Sequence, residues 1–227
     1  MSYNSIVTQV RDTFLYRVYG YMAAGLAVSA ATAVAAASSP AFMTALFTSK
    51  MLLYGLFIAQ LAVVIVLTGM LNSMSYGSAV FAYGLYAVLT GLTLSSIFVI
   101  YELPSIGLTF AVTAGMFGVM AVYGYVTKSD LSGMRSILMM GLVGIIIASV
   151  INMFVRSETF DLTIACVGVV VFTLLTAYDV QRIKWIRSAI VDEEMAQKAA
   201  IIGALMLYLD FINLFLMLLR LLGRRRD

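Results

Sequence analysis

Two aspartates stand inside apolar runs where charge is expensive: Asp179 in TLLTAYDVQRIKW and Asp210 in LMLYLDFINLFLMLL. A carboxylate near the centre of a bilayer costs roughly 2.5–3.5 kcal/mol on insertion scales. Residues of this kind face a bundle interior, find a partner and mark a path or a switch. The chain has only 11 acidic residues in all, so two of them within membrane-grade sequence are its strongest chemical signal. If the two meet in a low-dielectric interior, they cannot both ionise cheaply, and one proton is held in common. With that proton the pair is a hydrogen-bonded clasp; without it the pair repels itself and attracts cations. This is the chemistry of a proton sensor or an ion site.

Local spacing offers a plainer reading. Arg182 follows Asp179 at i+3, which suits an intrahelical ion pair. Asn213 follows Asp210 at i+3, which suits a neutral, hydrogen-bonded packing residue. A third reading is catalytic. Intramembrane aspartyl proteases also carry two aspartates on adjacent helices, the first after a tyrosine, as in Tyr178-Asp179. Their second site is Gly-x-Gly-Asp, whereas this chain has Leu207-Tyr208-Leu209-Asp210, and it lacks their Pro-Ala-Leu. The chain is therefore expected not to be an enzyme. It has no histidine, which excludes histidine acid–base catalysis, histidine metal ligands and histidine-activated nucleophiles. Its one cysteine, Cys166, can form no internal disulfide and is alone no metal site. There is no glycine-rich phosphate loop, and no cofactor is expected.

The elements that must position the aspartates follow from composition. Of 227 residues, 63% are hydrophobic and 11% charged, against about 25% charged in soluble domains. The mean hydropathy is +1.02. Nearly the whole chain divides into stretches of about 20 apolar residues, enough to cross roughly 30 Å of hydrocarbon. The fold class is all-α: a polytopic membrane protein, read as one transmembrane domain over 1–227. Seven spans are expected at about 18–38, 50–71, 76–100, 104–126, 134–155, 161–184 and 199–222. The first is read as a retained helix. Arg11 and Arg17 precede it and AVAAASSPA resembles a cleavage site, but its apolar run exceeds a signal core. Pro40 closes the first span and Pro104 suits the first turn of the fourth. The sixth and seventh spans are joined by a short loop, so they should run antiparallel. Asp179 near that loop and Asp210 about eleven residues into the seventh span then share a similar depth, at about 1.5 Å per residue.

Other polar and small residues are assigned to packing. Gly77, Gly84 and Gly91 recur every seventh residue, and with Gly115, Gly118, Gly141 and Gly144 they should let neighbouring helices approach. Ser95 and Ser96 are polar residues within the third span, and Gln60 and Asn152 should bond to neighbouring helices. Tyr76, Tyr101, Tyr123, Tyr125 and Trp185 sit near span ends, as interfacial aromatics do. The net charge of +3 reflects flanking Lys and Arg rather than affinity for nucleic acid. Arg11 and Arg17, Lys128 and Arg135, and Arg182, Lys184, Arg187 and Lys198 all fall on one side, which the positive-inside rule makes cytoplasmic, the N-terminus with them. Arg220, Arg224, Arg225 and Arg226 fall outside if the seventh span crosses fully, and inside if it re-enters.

The segments Ala177-Tyr178-Asp179-Val180-Gln181-Arg182-Ile183-Lys184 and Leu207-Tyr208-Leu209-Asp210-Phe211-Ile212-Asn213-Leu214-Phe215, with Leu218-Leu219-Arg220 and the loop TKSDLS from Thr127 to Ser132, resemble the Bax inhibitor-1 family, also called the transmembrane Bax inhibitor motif family. The overall form is closest to its bacterial members. The resemblance implies seven helices with the seventh central. It also implies a proton-sensitive calcium leak in which Asp179 and Asp210 hold the pore shut or open. Arg182, Asn213, Tyr178 and Tyr208 would support the pair, and the two aspartates would be transient calcium contacts. Some members carry a glutamate in helix 2 and an arginine near its end. Here Gln60 stands about where the acid would be, as a candidate path residue, and Leu71-Asn72 where the arginine would be. Other members regulate cell death or a membrane protease. The alternative is therefore a non-conducting regulator that binds another membrane protein. The expected partners are the lipid bilayer, calcium and such a protein, with no nucleic acid and no assigned oligomeric state. The expected location is the bacterial inner membrane.

Overall fold

Apolar segments in lipid have no water to satisfy their backbone, so each must close its hydrogen bonds internally as a helix. A computed structural model describes residues 3–190 and 192–226, with side chains for residues 13–187, 190 and 192–226; the side chain of Arg11 lies outside the described residues. The helices are α1 (Tyr3–Ala37), α2 (Pro40–Thr48), α3 (Lys50–Gly69), α4 (Tyr76–Leu94), α5 (Ile97–Ile100), α6 (Leu103–Val126), α7 (Arg135–Val155), α8 (Glu158–Ala189) and α9 (Glu193–Leu222), with a 3-10 turn at Ser132–Met134. Seven segments are long and apolar enough to cross a membrane: Thr13–Ala37, Lys50–Gly69, Tyr76–Ile100, Leu103–Val126, Ser132–Val155, Glu158–Arg187 and Glu193–Leu222. The last is 67% buried and the other six 11–39%. The chain thus has one enclosed span, while Phe81, Met140 and Phe154 on other spans stay exposed, as lipid-facing side chains do.

Several boundaries differ from the sequence expectation. Pro40 does not merely close the first span; it starts α2, where Ser39 accepts from the Phe42 N–H at 3.4 Å and proline loses no helical bond. The third span is interrupted at Ser95 and Ser96. Their hydroxyls donate to the Leu92 and Thr93 carbonyls at 2.6 and 2.9 Å, a back-bonding that competes with the helical ladder. Those serines therefore bond within their own helix rather than across to a neighbour. Asn152 likewise bonds locally, accepting from the Ser157 N–H at 3.0 Å where α7 ends. The last helix starts about six residues early, because Asp192 caps the Met195 N–H at 2.7 Å and Glu193 and Glu194 suit its first turn.

Contacts group the chain into two units. One holds residues 1–100, 186–208 and Arg226. Its centre is tyrosine-rich: Tyr208 meets Tyr83 and Tyr86 edge-on, with ring centroids 6.1 and 5.7 Å away. Tyr208 also exchanges a 2.6 Å hydrogen bond with Ser29, whose hydroxyl lies 2.7 Å from the Ala87 carbonyl. Gly91 lets α4 lie on α1, since a Cβ there would stand 2.6 Å from the Ser29 carbonyl oxygen. Arg17 pairs with Glu193 at 2.8 Å, and buried Lys198 donates to the Met74 carbonyl at 3.2 Å.

The other unit holds residues 101–185 and 209–225. Leu138, Ile145, Phe172, Leu175, Leu214 and Met217 form its core. Gly141 lies under Val171, 2.9 Å from a built Cβ. Gly77, Gly84, Gly115, Gly118 and Gly144 meet no heavy atom within 4 Å of such a Cβ. Of the predicted contact glycines, only Gly91 and Gly141 are pressed by a neighbour; spacing put the others on a helix face but not against anything. Tyr101 is buried against Gly223 rather than interfacial. Arg156 closes α7 with φ 54° and ψ 38°, a left-handed conformation that costs a residue with a side chain roughly 1–2 kcal/mol.

Candidate functional site: a buried carboxyl pair

Asp179 projects from α8 and Asp210 from α9, 8% and 5% exposed. Their carboxyls lie within hydrogen-bonding reach of one another. A hydrogen bond between two carboxyls needs a proton on one of them. The second oxygen of Asp210, Oδ2, is buried and has no partner among the described residues.

The surroundings of the pair are apolar. Val180 and Ile183 flank Asp179 on α8, and Leu207 and Leu214 flank Asp210 on α9; all four are fully buried. Phe211 is boxed by the edges of Phe110 and Phe117, at 5.4 and 5.5 Å. A Cβ at Gly124 would overlap the Ala177 backbone carbonyl. Glycine therefore lets α6 press directly on α8 two residues before Asp179. Tyr178 belongs to the apolar core beside the pair.

The other residues named from the sequence lie elsewhere or act differently. Arg182 is exposed and acts on Asp179 electrostatically, yet no ion pair within 4.0 Å joins them. Asn213 is half-buried, and the partner of Asp210 is Asp179 instead. Tyr208 belongs to the first unit, bonded to Ser29. Gln60 also belongs there, half-buried and donating to Thr93 Oγ1 at 2.7 Å, the interhelical bond expected of an amide within a span.

Two residues of the Tyr178–Lys184 stretch have roles that spacing alone did not assign. Gln181 accepts from the Leu131 N–H and donates to the Ser129 carbonyl, both at 2.9 Å. Lys184 donates to the Tyr125 carbonyl at 3.0 Å and stands 5.2 Å from the centre of its ring. The α8 segment that carries Asp179 thus also grips the loop after α6. A buried glutamine two positions from the aspartate, and about 200° around the helix from it, was the signal available. Within that loop, the Ser132 N–H donates to Asp130 at 2.8 Å and holds its carboxyl below the usual range.

Chemically, the pair can hold or release a proton and, once ionised, attract a cation. It is not a resident metal centre by itself. Calcium takes six to eight oxygens, and the described residues contain no cluster of three or more Asp, Glu, His or Cys able to hold an ion.

The family model described as "Inhibitor of apoptosis-promoting Bax1" matches residues 11–227. The chain is 51% identical over 217 residues to "Inner membrane protein YbhL" of Escherichia coli strain K12, covering 95% of this chain and 93% of that one. It is 46% identical over 219 residues to an uncharacterized protein of Borreliella burgdorferi, covering 96% and 94%. It is 37% identical over 179 residues to uncharacterized membrane protein SpyM3_0260 of Streptococcus pyogenes, covering 79% and 77%.

Proposed function

This chain belongs to the Bax inhibitor-1 family, and on that premise we propose that it is a pH-sensitive cation leak of the bacterial inner membrane, with calcium as the transported ion and Asp179 and Asp210 as its gate. The inner-membrane location follows the name of the Escherichia coli relative. The observation that carries the reading is the enclosed carboxyl–carboxyl contact between α8 and α9. Holding one proton, the pair clasps the two helices. Losing it leaves two anions, which repel by roughly 4 kcal/mol at 4 Å and an effective dielectric of 20. That is worth about a thousandfold in an open–closed ratio. Deprotonation then favours separation of the helices and draws a cation toward the pair. The protein acts without a cofactor and without covalent chemistry, so it is not an enzyme.

The test is calcium flux into liposomes carrying the purified protein, measured across pH. Flux is expected to rise as the pair deprotonates. Asp179→Asn with Asp210→Asn should make the flux independent of pH, because two amides bond at every pH. Unchanged flux and an unchanged pH profile in that variant sink the proposal.

A second reading is a non-conducting regulator that binds another membrane protein. It is favoured by Gln60, a neutral amide already bonded to Thr93 where some relatives carry a path acid. A specific crosslinked partner, together with no flux in liposomes, would decide for it.

A further inference from the structure

A cavity of about 370 Å³ opens where α7 ends, α8 begins and α9 ends, lined by Arg156, Arg220 and Arg225 together with Glu158 and Asp161. Arg220 is committed to Asp161, Nη1 to Oδ1 at 3.2 Å. Arg156 and Arg225 make no ion pair and no side-chain hydrogen bond among the described residues. Both are held by backbone instead. Arg156 occupies the one left-handed non-glycine position among the described residues, a place that glycine or asparagine fills more cheaply. Arg225 sits on a C-terminal strap bridged to Tyr101. That strap is pinned where the Glu102 N–H donates to the Arg224 carbonyl at 2.9 Å and the Arg224 N–H to Ser105 Oγ at 3.1 Å.

Two unpaired guanidinium groups on fixed backbone therefore face one cavity. Its three positive and two negative side chains leave a surplus of one positive charge. The guanidinium fork matches phosphate oxygens in pairs. The cavity lies at the ends of three spans, the depth of lipid headgroups, and exposed Leu162 lines it as apolar wall. We infer that this cavity binds one phosphate monoanion, supplied by an anionic phospholipid headgroup or by free phosphate. Arginine at the α7 end, despite its backbone strain, is then explained by the charge it presents to that ion.

Full-length protein in micelles with equimolar phosphatidylglycerol and phosphatidylcholine tests this by native mass spectrometry. One phosphatidylglycerol should be retained in preference to phosphatidylcholine, whose quaternary ammonium meets the surplus positive charge. Arg156→Gly with Arg225→Gln should lower that retention about tenfold while the Tm stays at or above wild type, since glycine relieves the backbone. Arg17→Gln, at an arginine paired elsewhere, should change nothing. Inorganic phosphate titrated into delipidated protein distinguishes the sources. Saturable binding lost in the double variant assigns the free ion, and lipid retention without it assigns the headgroup. If the double variant fails to fold, Arg225→Gln alone is read the same way. Equal retention of both lipids with no phosphate binding, or wild-type retention in a folded variant, overturns the inference.

Discussion

Asp210 has one oxygen with no partner besides the Asp179 contact, so the two members of the pair depend on each other unequally. Replacing Asp179 with leucine should strand the Asp210 carboxyl and cost about 1–3 kcal/mol. Asp179→Asn, which keeps a donor for Asp210, should cost less. Thermal unfolding in detergent compares the two. Tyr208→Phe removes the hydroxyl from Ser29, which keeps its Ala87 carbonyl, so a loss of only about 1 kcal/mol is expected. Asp130 carries a pH prediction whose sign is fixed by its depressed carboxyl. Its hold on the Ser132 N–H is present above the ordinary Asp value and lost as pH falls through the lowered one. Exchange of the Ser132 amide, corrected for its intrinsic rate, should therefore accelerate only in acid. At this scale the aspartates were legible from cost alone, because charge in an apolar run always needs a reason. Their partners were legible only as alternatives: spacing offered Arg182 and Asn213 as well as each other, and in the structure each aspartate acts on the other across α8 and α9.

Between elements, the same residue type does opposite things. A Cβ at Gly124 meets the Ala177 carbonyl, whereas one at Gly84 meets nothing within 4 Å. Gly124→Ala should thus destabilise by about 1–3 kcal/mol and disturb the backbone just before Asp179. Gly84→Ala should stay within about 0.5 kcal/mol, or stabilise α4 through propensity. Chemical denaturation of the two variants checks this, and equal effects would refute the packing argument. The seven-residue glycine repeat marked a helix face, but only a neighbour's approach makes such a face matter. The Gln181 grip on Ser129 and Leu131 likewise joins residues about 50 positions apart, beyond the reach of any local pattern. The interruption at Ser95-Ser96 was visible as two serines, although hydropathy alone carried the helix through them.

For the whole molecule, α9 runs as one unbroken helix of 30 residues, about 45 Å long. A re-entrant course would need a break, so the seventh span should cross fully and leave the two ends of the chain on opposite sides. In a Cys166→Ser background, a membrane-impermeant thiol reagent on intact cells should label Arg226→Cys and spare Ser5→Cys; labelling of neither or both contradicts that topology. The C-terminal arginines then lie against the positive-inside rule, and two of them, Arg220 and Arg225, line one cavity with Arg156. Composition by itself determined the class of this protein, the number of its spans and the two expensive carboxylates, because a bilayer permits an apolar chain few structures and penalises each exception. Only the tertiary structure decided which faces of α8 and α9 meet, which glycines are pressed and which arginines stand unpaired. Those depend on how each helix is rotated about its axis, and in lipid, where most faces are equally apolar, packing rather than hydropathy sets that rotation.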